Sequence, residues 1–195
     1  MNVIDLSDWN DHINWSHMID EGVEGVIVKI SEGRTLSELH GKHIAGASAR
    51  GLPWGVYCYT HAQTTARAEE EAAVVIEALD ALGYGAPPLG IWIDVEAPEI
   101  IGQDREDVTA ICSAFISACN TAGYSAGIYA SLSTLTDCIN VNDMSTAEII
   151  EIQGEIIRRQ AVIIKAMALQ LDAVEAWETE IKLIDALKEK LESET

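Results

Sequence analysis

The sequence predicts an α/β protein built on a parallel sheet, followed by a long helical segment. Five short apolar runs alternate with helical patterns over residues 1–140, and each run is apolar along most of its length. Such strands are typical of parallel sheets, whose crossovers are helical. After residue 145 the composition changes, because proline is absent and Ala, Glu, Ile, Leu and Lys dominate. We therefore expect an α/β domain at 1–140, either a barrel or a doubly wound sheet, and a helical region at 145–195.

Each element of the first region follows from a local pattern. The predicted strands are 2–6, 25–30, 53–59, 89–95 and 125–130, which carry β-branched or aromatic residues. The predicted helices are 15–21, 37–50, 64–82 and 104–122. Thr64 is a suitable N-cap for the third helix, while Gly83 and Gly123 mark the ends of the third and fourth. No glycine-rich phosphate loop follows a strand, which disfavours a nucleotide-binding sheet.

Residues 145–195 are predicted to form one long amphipathic helix or two stacked helices. A coiled-coil-like spacing of seven residues relates Ile150, Ile157, Ile164 and Leu171. A second, offset apolar stripe consists of Trp177, Ile181, Ile184, Leu187 and Leu191. Because more than one face is apolar, we expect this segment to pack on the open edge of the sheet or to join copies in a homo-oligomer. The alternative is a solvated helical tail.

The composition argues against several classes of function. The chain has 12 Lys and Arg against 32 Asp and Glu, a formal charge of −20, which disfavours binding to nucleic acid or anionic lipid. No apolar run is long enough to span a membrane, and the N-terminus lacks the pattern of a secretory signal. The four cysteines form no C-x-x-C pair and are expected to be reduced. His40 and His43 share a helix face without a third ligand, so neither a metal site nor a cofactor is predicted.

Acidic residues stand at the ends of the predicted strands. Asp5 lies near the end of the first strand, Glu32 follows the second, and Asp94 and Glu96 close the fourth. The carboxyl ends of parallel strands meet at one edge, where barrel enzymes have their active sites. When two carboxyl groups share one cleft, their pKa values move apart, so that one group is protonated and the other is ionised near neutral pH. Glycoside hydrolysis needs one group in each of these states. Capping of the next helix, pairing with Lys29 or metal binding are the alternatives.

Aromatic side chains are expected at the same edge, where sugar rings can stack on them. They are Trp9, Tyr57, Tyr59, Trp92 and Tyr129. His61 follows the third strand and could donate a hydrogen bond to a substrate. Trp92 and one of the tyrosines could instead belong to the core, as most strand aromatics do. The chain has no G-x-S-x-G elbow or Ser-His-Asp order, so acyl transfer is not supported.

Seven segments, taken in order, resemble glycoside hydrolase family 25, the lysozymes (N-acetylmuramidases) common in bacteriophage endolysins and bacterial autolysins. They are VIDLSDWN, INW, GVEGVIVKISEGRT, AGASARGLPWGVYCY, AEEEA, PPLGIWIDVE and GYSAGIYAS, and they lie within about residues 1–135. The combination of D-x-S-x-W, K-x-S-E-G and a strand that ends in D-V-E is specific, although each motif alone would be weak.

The resemblance implies a TIM-type β/α barrel with an incomplete set of helices. It also implies cleavage of the β-1,4 bond between N-acetylmuramic acid and N-acetylglucosamine in bacterial peptidoglycan. By position Glu96 would be the general acid, Asp94 would orient the substrate N-acetyl group or stabilise the positive centre, and Asp5 would support the pair. Tyr57 and Glu32 would line the cleft. We expect an enzyme made in the cytoplasm that acts on the cell wall after release during phage lysis or from a virion.

The family's usual last three strands have no counterpart in the sequence after Ser131. These strands carry a W-x-A-x-Y-like segment, a W-Q-Y segment and a V-D-x-N segment whose aspartate joins the active site. Their loss would leave an exposed sheet edge and remove one acidic residue. Two functions therefore remain open: a muramidase of the phage-lysin type, or a catalytically impaired lysozyme-like module for wall-glycan binding or oligomeric assembly.

Overall fold

The computed structural model describes residues 1–140, which form an α/β fold around a six-stranded sheet. Five strands are parallel and adjacent in chain order: β1 (Val3–Leu6), β2 (Gly25–Glu32), β4 (Trp54–Tyr59), β5 (Ile91–Asp94) and β6 (Ala126–Tyr129). The short strand β3 (Thr35–Leu36) pairs antiparallel with β2. Sequential neighbours are the order of a β/α barrel, whereas a doubly wound sheet reverses its order midway. The prediction of a mainly parallel sheet is confirmed, while the helical prediction for 145–195 lies outside the described residues.

Helices precede or follow the parallel strands along the chain. They are α1 (Trp15–Asp20), α2 (His40–Ser48), α3 (Thr65–Leu82), the single turn α4 (Pro98–Ile101), α5 (Arg105–Thr121) and a π-helical turn at Thr134–Cys138. The predicted caps of α3 are confirmed, because the Thr64 side chain accepts a hydrogen bond from the Arg67 amide and Gly83 has a left-handed φ of 69°. The sequence did not predict β3, α4 or the π-helical turn.

The main core lies between one face of the sheet and α2, α3 and α5. The strand residues on this face are fully buried and include Val26, Val28, Ile30, Val56, Ile91, Ile93 and Ile128. Phe115 of α5 and Leu79 of α3 are among the largest buried side chains of the helical layer, where the two helices pack together. Burial of these apolar side chains holds the strands in register.

A smaller apolar cluster covers the start of the other sheet face. It consists of Val3, Ile27 and Trp92. The Trp92 indole N–H donates a hydrogen bond of 2.7 Å to the Leu89 carbonyl. A Cβ at Gly127 would lie 2.8 Å from the Trp92 ring, so only glycine at this position lets the indole pack against β6. This cluster supports the polar residues that follow it along the strands.

All four cysteines lie within the described residues and are free thiols, as predicted. Burial raises the pKa of Cys58, Cys112 and Cys119 to about 12, so they stay protonated and behave as small core residues. Within residues 1–140, none of the helices combines the length and the apolar character that crossing a membrane requires.

Candidate active site

The polar end of the second sheet face brings together residues from four strands. Asp5, Lys29 and Asp94 each lie two positions after a member of the apolar cluster, so their side chains leave the same face. Lys29 of β2 is in register with Tyr57 of β4, which also points to this face. Glu96 follows β5 by two residues and is exposed to solvent. The acidic residues therefore lie at the carboxyl-terminal edge of the parallel strands, where the sequence predicted them.

The carboxyl groups of Asp5, Asp94 and Glu96 interact electrostatically. Asp94 is only 5% exposed, and burial, followed by the negative charges of Glu96 and Asp5, raises its pKa from 3.8 to about 8. Its Oδ1 atom is buried and has no hydrogen-bond partner among the described residues. Asp94 consequently carries a proton at neutral pH.

Asp5 is open to solvent but lies against enough protein for partial burial to raise its pKa to about 6. A hydrogen bond from the Tyr57 hydroxyl and the charge of Lys29 oppose that rise. Burial and the adjacent Asp5 and Asp94 carboxyl groups raise the pKa of Tyr57 well above its usual value, so its hydroxyl remains a donor. At neutral pH the cluster therefore holds an ionised Asp5 beside a protonated Asp94.

A chain of ion pairs borders the three carboxyl groups. The Lys29 Nζ atom lies 2.6 Å from Glu32 Oε2, and Glu32 Oε1 lies 3.3 Å from His61 Nε2. The His61 Nδ1 atom lies 2.5 Å from Glu99 Oε1. Hydrogen bonds to Glu99 and Glu32 raise the pKa of His61, which favours its charged form. The Tyr59 ring packs on His61 with centroids 5.3 Å apart, and the Lys29 ammonium lies 5.4 Å from the same ring.

Comparison with known proteins connects this arrangement to a family. The profile of "Glycosyl hydrolases family 25" matches residues 4–150. The chain belongs to this family. The resemblance seen in the sequence motifs is thereby confirmed, and the match extends beyond the stretch that those motifs cover.

Several family 25 proteins of known structure share the fold. The modular autolysin LytC from Streptococcus pneumoniae, solved in complex with a synthetic peptidoglycan ligand, is 28% identical with a TM-score of 0.63. The alignment covers 69% of this chain and 33% of LytC, so the chain spans about a third of the LytC length. The catalytic domain of endolysin ply40 from bacteriophage P40 of Listeria monocytogenes is 25% identical, with a TM-score of 0.63 and coverage of 73% and 68%.

A family GH25 lysozyme from Aspergillus fumigatus shares the fold with a TM-score of 0.57 at 20% identity, and the alignment covers 69% of this chain and 66% of the lysozyme. A comparison with curated protein sequences found no match.

The structure of the family 25 domain also locates the predicted aromatic residues. Tyr129 is half-buried, pairs in register with Asp94 and packs on the apolar cluster. Trp92 is only 4% exposed, which favours the core role that the sequence left open for it. Trp9 lies in the loop after β1 with 93% of its surface exposed. Tyr59 and Trp9 therefore offer more ring surface to a sugar than Trp92 does.

Sequence reasoning missed Glu99, which contacts His61 from the single-turn helix α4. The available signal was Pro98, four residues after the end of β5, because proline favours the first turn of a helix. The two histidines considered as metal ligands bind backbone carbonyl oxygens instead, His40 that of Ser37 and His43 that of Asn10. In the part of the chain that the structure describes, no three acidic, histidine or cysteine side chains are grouped to hold a metal ion.

Proposed function

We propose that this family 25 domain hydrolyses bacterial peptidoglycan at the β-1,4 bond between N-acetylmuramic acid and N-acetylglucosamine. The observation that carries the proposal is the carboxyl cluster, in which a buried protonated Asp94 lies beside Asp5 and the exposed Glu96. Glycosidases need a proton for the leaving oxygen and a negative charge near the positive sugar centre. The peptidoglycan ligand of LytC supports the same substrate class.

In the proposed mechanism, Glu96 donates the proton to the leaving oxygen, because Glu96 is exposed to solvent whereas Asp94 is buried. The neighbouring Asp94 holds a proton at neutral pH, so a proton is available in the site that Glu96 shares. The unpaired Oδ1 atom of Asp94 is suited to the substrate N-acetyl group. Asp5, held by the Tyr57 hydroxyl, supplies negative charge to the sugar centre. Water then completes the hydrolysis by adding hydroxide to the anomeric carbon and returning a proton to the pair.

The test compares reducing-end release from purified Gram-positive cell walls by the wild type, Glu96→Gln and Glu77→Gln. Glu77 is an exposed residue of α3, so its substitution is the matched control for the change of charge. We expect Glu96→Gln to lose at least about 100-fold in rate, the usual effect of removing a general acid, and Glu77→Gln to retain activity. Equal rates for Glu96→Gln and the wild type would remove Glu96 from the proposed role.

A catalytically impaired module that binds wall glycan is the second candidate. It is favoured by one observation, since β6 is the last parallel strand within residues 1–140 and no acidic side chain from a further strand joins the described cluster. Wall binding by a wild type that releases no reducing ends would support this candidate. We also propose that the protein is released during phage lysis or from a virion. We further propose that residues 145–195 join copies of the chain, and the native mass of the full chain tests this assembly.

A further inference from the structure

A pocket of about 600 Å³ lies beside the proposed active site. Its lining includes Lys29, Glu32 and His61, which also form the chain of ion pairs next to the carboxyl cluster. Two further basic lining residues are Arg34, in the turn after β2, and Arg67, in the first turn of α3. The volume lies within the range of small-molecule sites. A glycan strand bound across the active site could therefore extend a substituent into this pocket.

Basic side chains are concentrated at the pocket although the domain is acidic. Residues 1–140 contain six lysines and arginines against twenty aspartates and glutamates. Three of those six basic residues, Lys29, Arg34 and Arg67, line this one pocket. Such a concentration favours an anionic ligand over the neutral sugar that the carboxyl cluster would take.

The two arginines are held side by side and keep unused donors. Nη1 of Arg34 and Nη1 of Arg67 lie 3.0 and 3.3 Å from the same oxygen of Glu70. Nε of Arg67 also lies 3.4 Å from Oε1 of the fully buried Glu71. The Nη2 groups of both arginines have no hydrogen-bond partner among the described residues. Arginine donors in this planar arrangement suit a carboxylate.

The acidic residues of the lining already accept hydrogen bonds from donors of the protein. Glu32 accepts from Lys29 on one oxygen and contacts His61 with the other. Asp8 accepts hydrogen bonds from the Ser37 hydroxyl and the Leu39 amide, both at Oδ1. The Nη2 groups of Arg34 and Arg67 are therefore hydrogen-bond donors of the pocket lining that a ligand can satisfy with an acceptor.

We propose that this pocket binds a carboxylate of the short peptide that peptidoglycan carries on its glycan strand. The proposal rests on the proposed function, because it places the peptide next to a glycan seated at the carboxyl cluster. Arg34 and Arg67 would hold the carboxylate through their free donors, with Lys29 and a charged His61 adding positive charge. The pocket would make the domain prefer glycan with acidic peptides over glycan whose peptides are neutral.

The experiment measures binding of two soluble ligands to the full chain by calorimetry. One ligand is the disaccharide-peptide with free carboxylates, which lacks the bond to be cleaved, and the other is the same compound with its carboxylates amidated. We expect the wild type to bind the acid form about tenfold more tightly, the size of a charge-assisted hydrogen bond. We expect Arg34→Gln together with Arg67→Gln to reduce this preference to less than about twofold. Arg50→Gln, a matched change at an exposed arginine outside the pocket, should retain the preference.

Arg34→Gln alone covers the case in which the double variant does not fold, since the Arg34 side chain is 53% exposed and, within residues 1–140, forms an ion pair only with the exposed Glu70. This variant should lose about threefold of the preference. The absence of a preference in the wild type, or the same preference in the pocket variants as in Arg50→Gln, would overturn the proposal. Wall hydrolysis without the preference would reject the pocket but keep the function, whereas the preference without hydrolysis would keep the pocket and reject the function.

Discussion

Replacement of Asp94 by asparagine tests the electrostatics of the site most directly. The Asp94 carboxyl has a pKa of about 8 in the folded protein, against 3.8 for an ordinary aspartate. Between these values the unfolded chain releases the proton while the folded chain keeps it. Because the unfolded state then binds fewer protons, the free energy of unfolding falls as the pH rises through this range. Asparagine has no proton to release, so Asp94→Asn removes this pH dependence.

The magnitude follows from the width of that interval. Each pH unit between the two pKa values changes the free energy of unfolding by about 1.4 kcal/mol. From pH 5 to pH 7 the difference between Asp94→Asn and the wild type should therefore grow by about 3 kcal/mol in favour of the variant. Because any constant packing effect of the amide cancels in this comparison, the slope with pH is the quantity to measure. We also expect the variant to lose wall hydrolysis, so that stability is gained where activity is lost.

The assay is urea denaturation of the full chain at pH 5, 6 and 7, followed by tryptophan fluorescence. Trp54 and Trp92 are both buried and report on the sheet. Asp20→Asn changes an exposed carboxyl at the end of α1 and controls for the loss of one negative charge from a chain of formal charge −20. A difference between Asp94→Asn and the wild type that stays constant with pH would refute the reasoning.

Two further predictions concern packing and buried charge. Glu71→Ala should lower the free energy of unfolding by about 3 kcal/mol, because it removes a fully buried carboxyl group that accepts a hydrogen bond from Thr60 and faces Arg67. The control is Glu70→Ala at a position that is 53% exposed, which should change the free energy of unfolding by less than about 1 kcal/mol. If urea denaturation gave similar losses for Glu71→Ala and Glu70→Ala, the stabilising role of the buried Glu71 carboxyl group would be contradicted. Gly127→Ala should cost about 1–3 kcal/mol and alter tryptophan fluorescence, because the new Cβ would lie 2.8 Å from the nearby indole. An unchanged melting temperature and spectrum would show that the indole packs elsewhere.

Local patterns were enough to predict the parallel strands and the longer helices of residues 1–140. The clearest case is α3, whose cap at Thr64 and end at Gly83 are both local chemistry. The strand β3 was missed because two residues are too short to show a period, and its pairing with β2 depends on a turn through Gly33 with a left-handed φ of 54°. The helix α4 has only four residues, so periodicity could not reveal it either.

The sequence by itself predicted that Asp5 and Asp94 lie at the same edge of the sheet, because strands that alternate with helices are parallel and their carboxyl ends share one edge. Only the tertiary structure decided that Asp94 holds a proton at neutral pH, and that Arg34 and Arg67 meet at one oxygen of Glu70. Electrostatic energies depend on burial and on distances through space, and these are set by contacts between residues far apart in the chain.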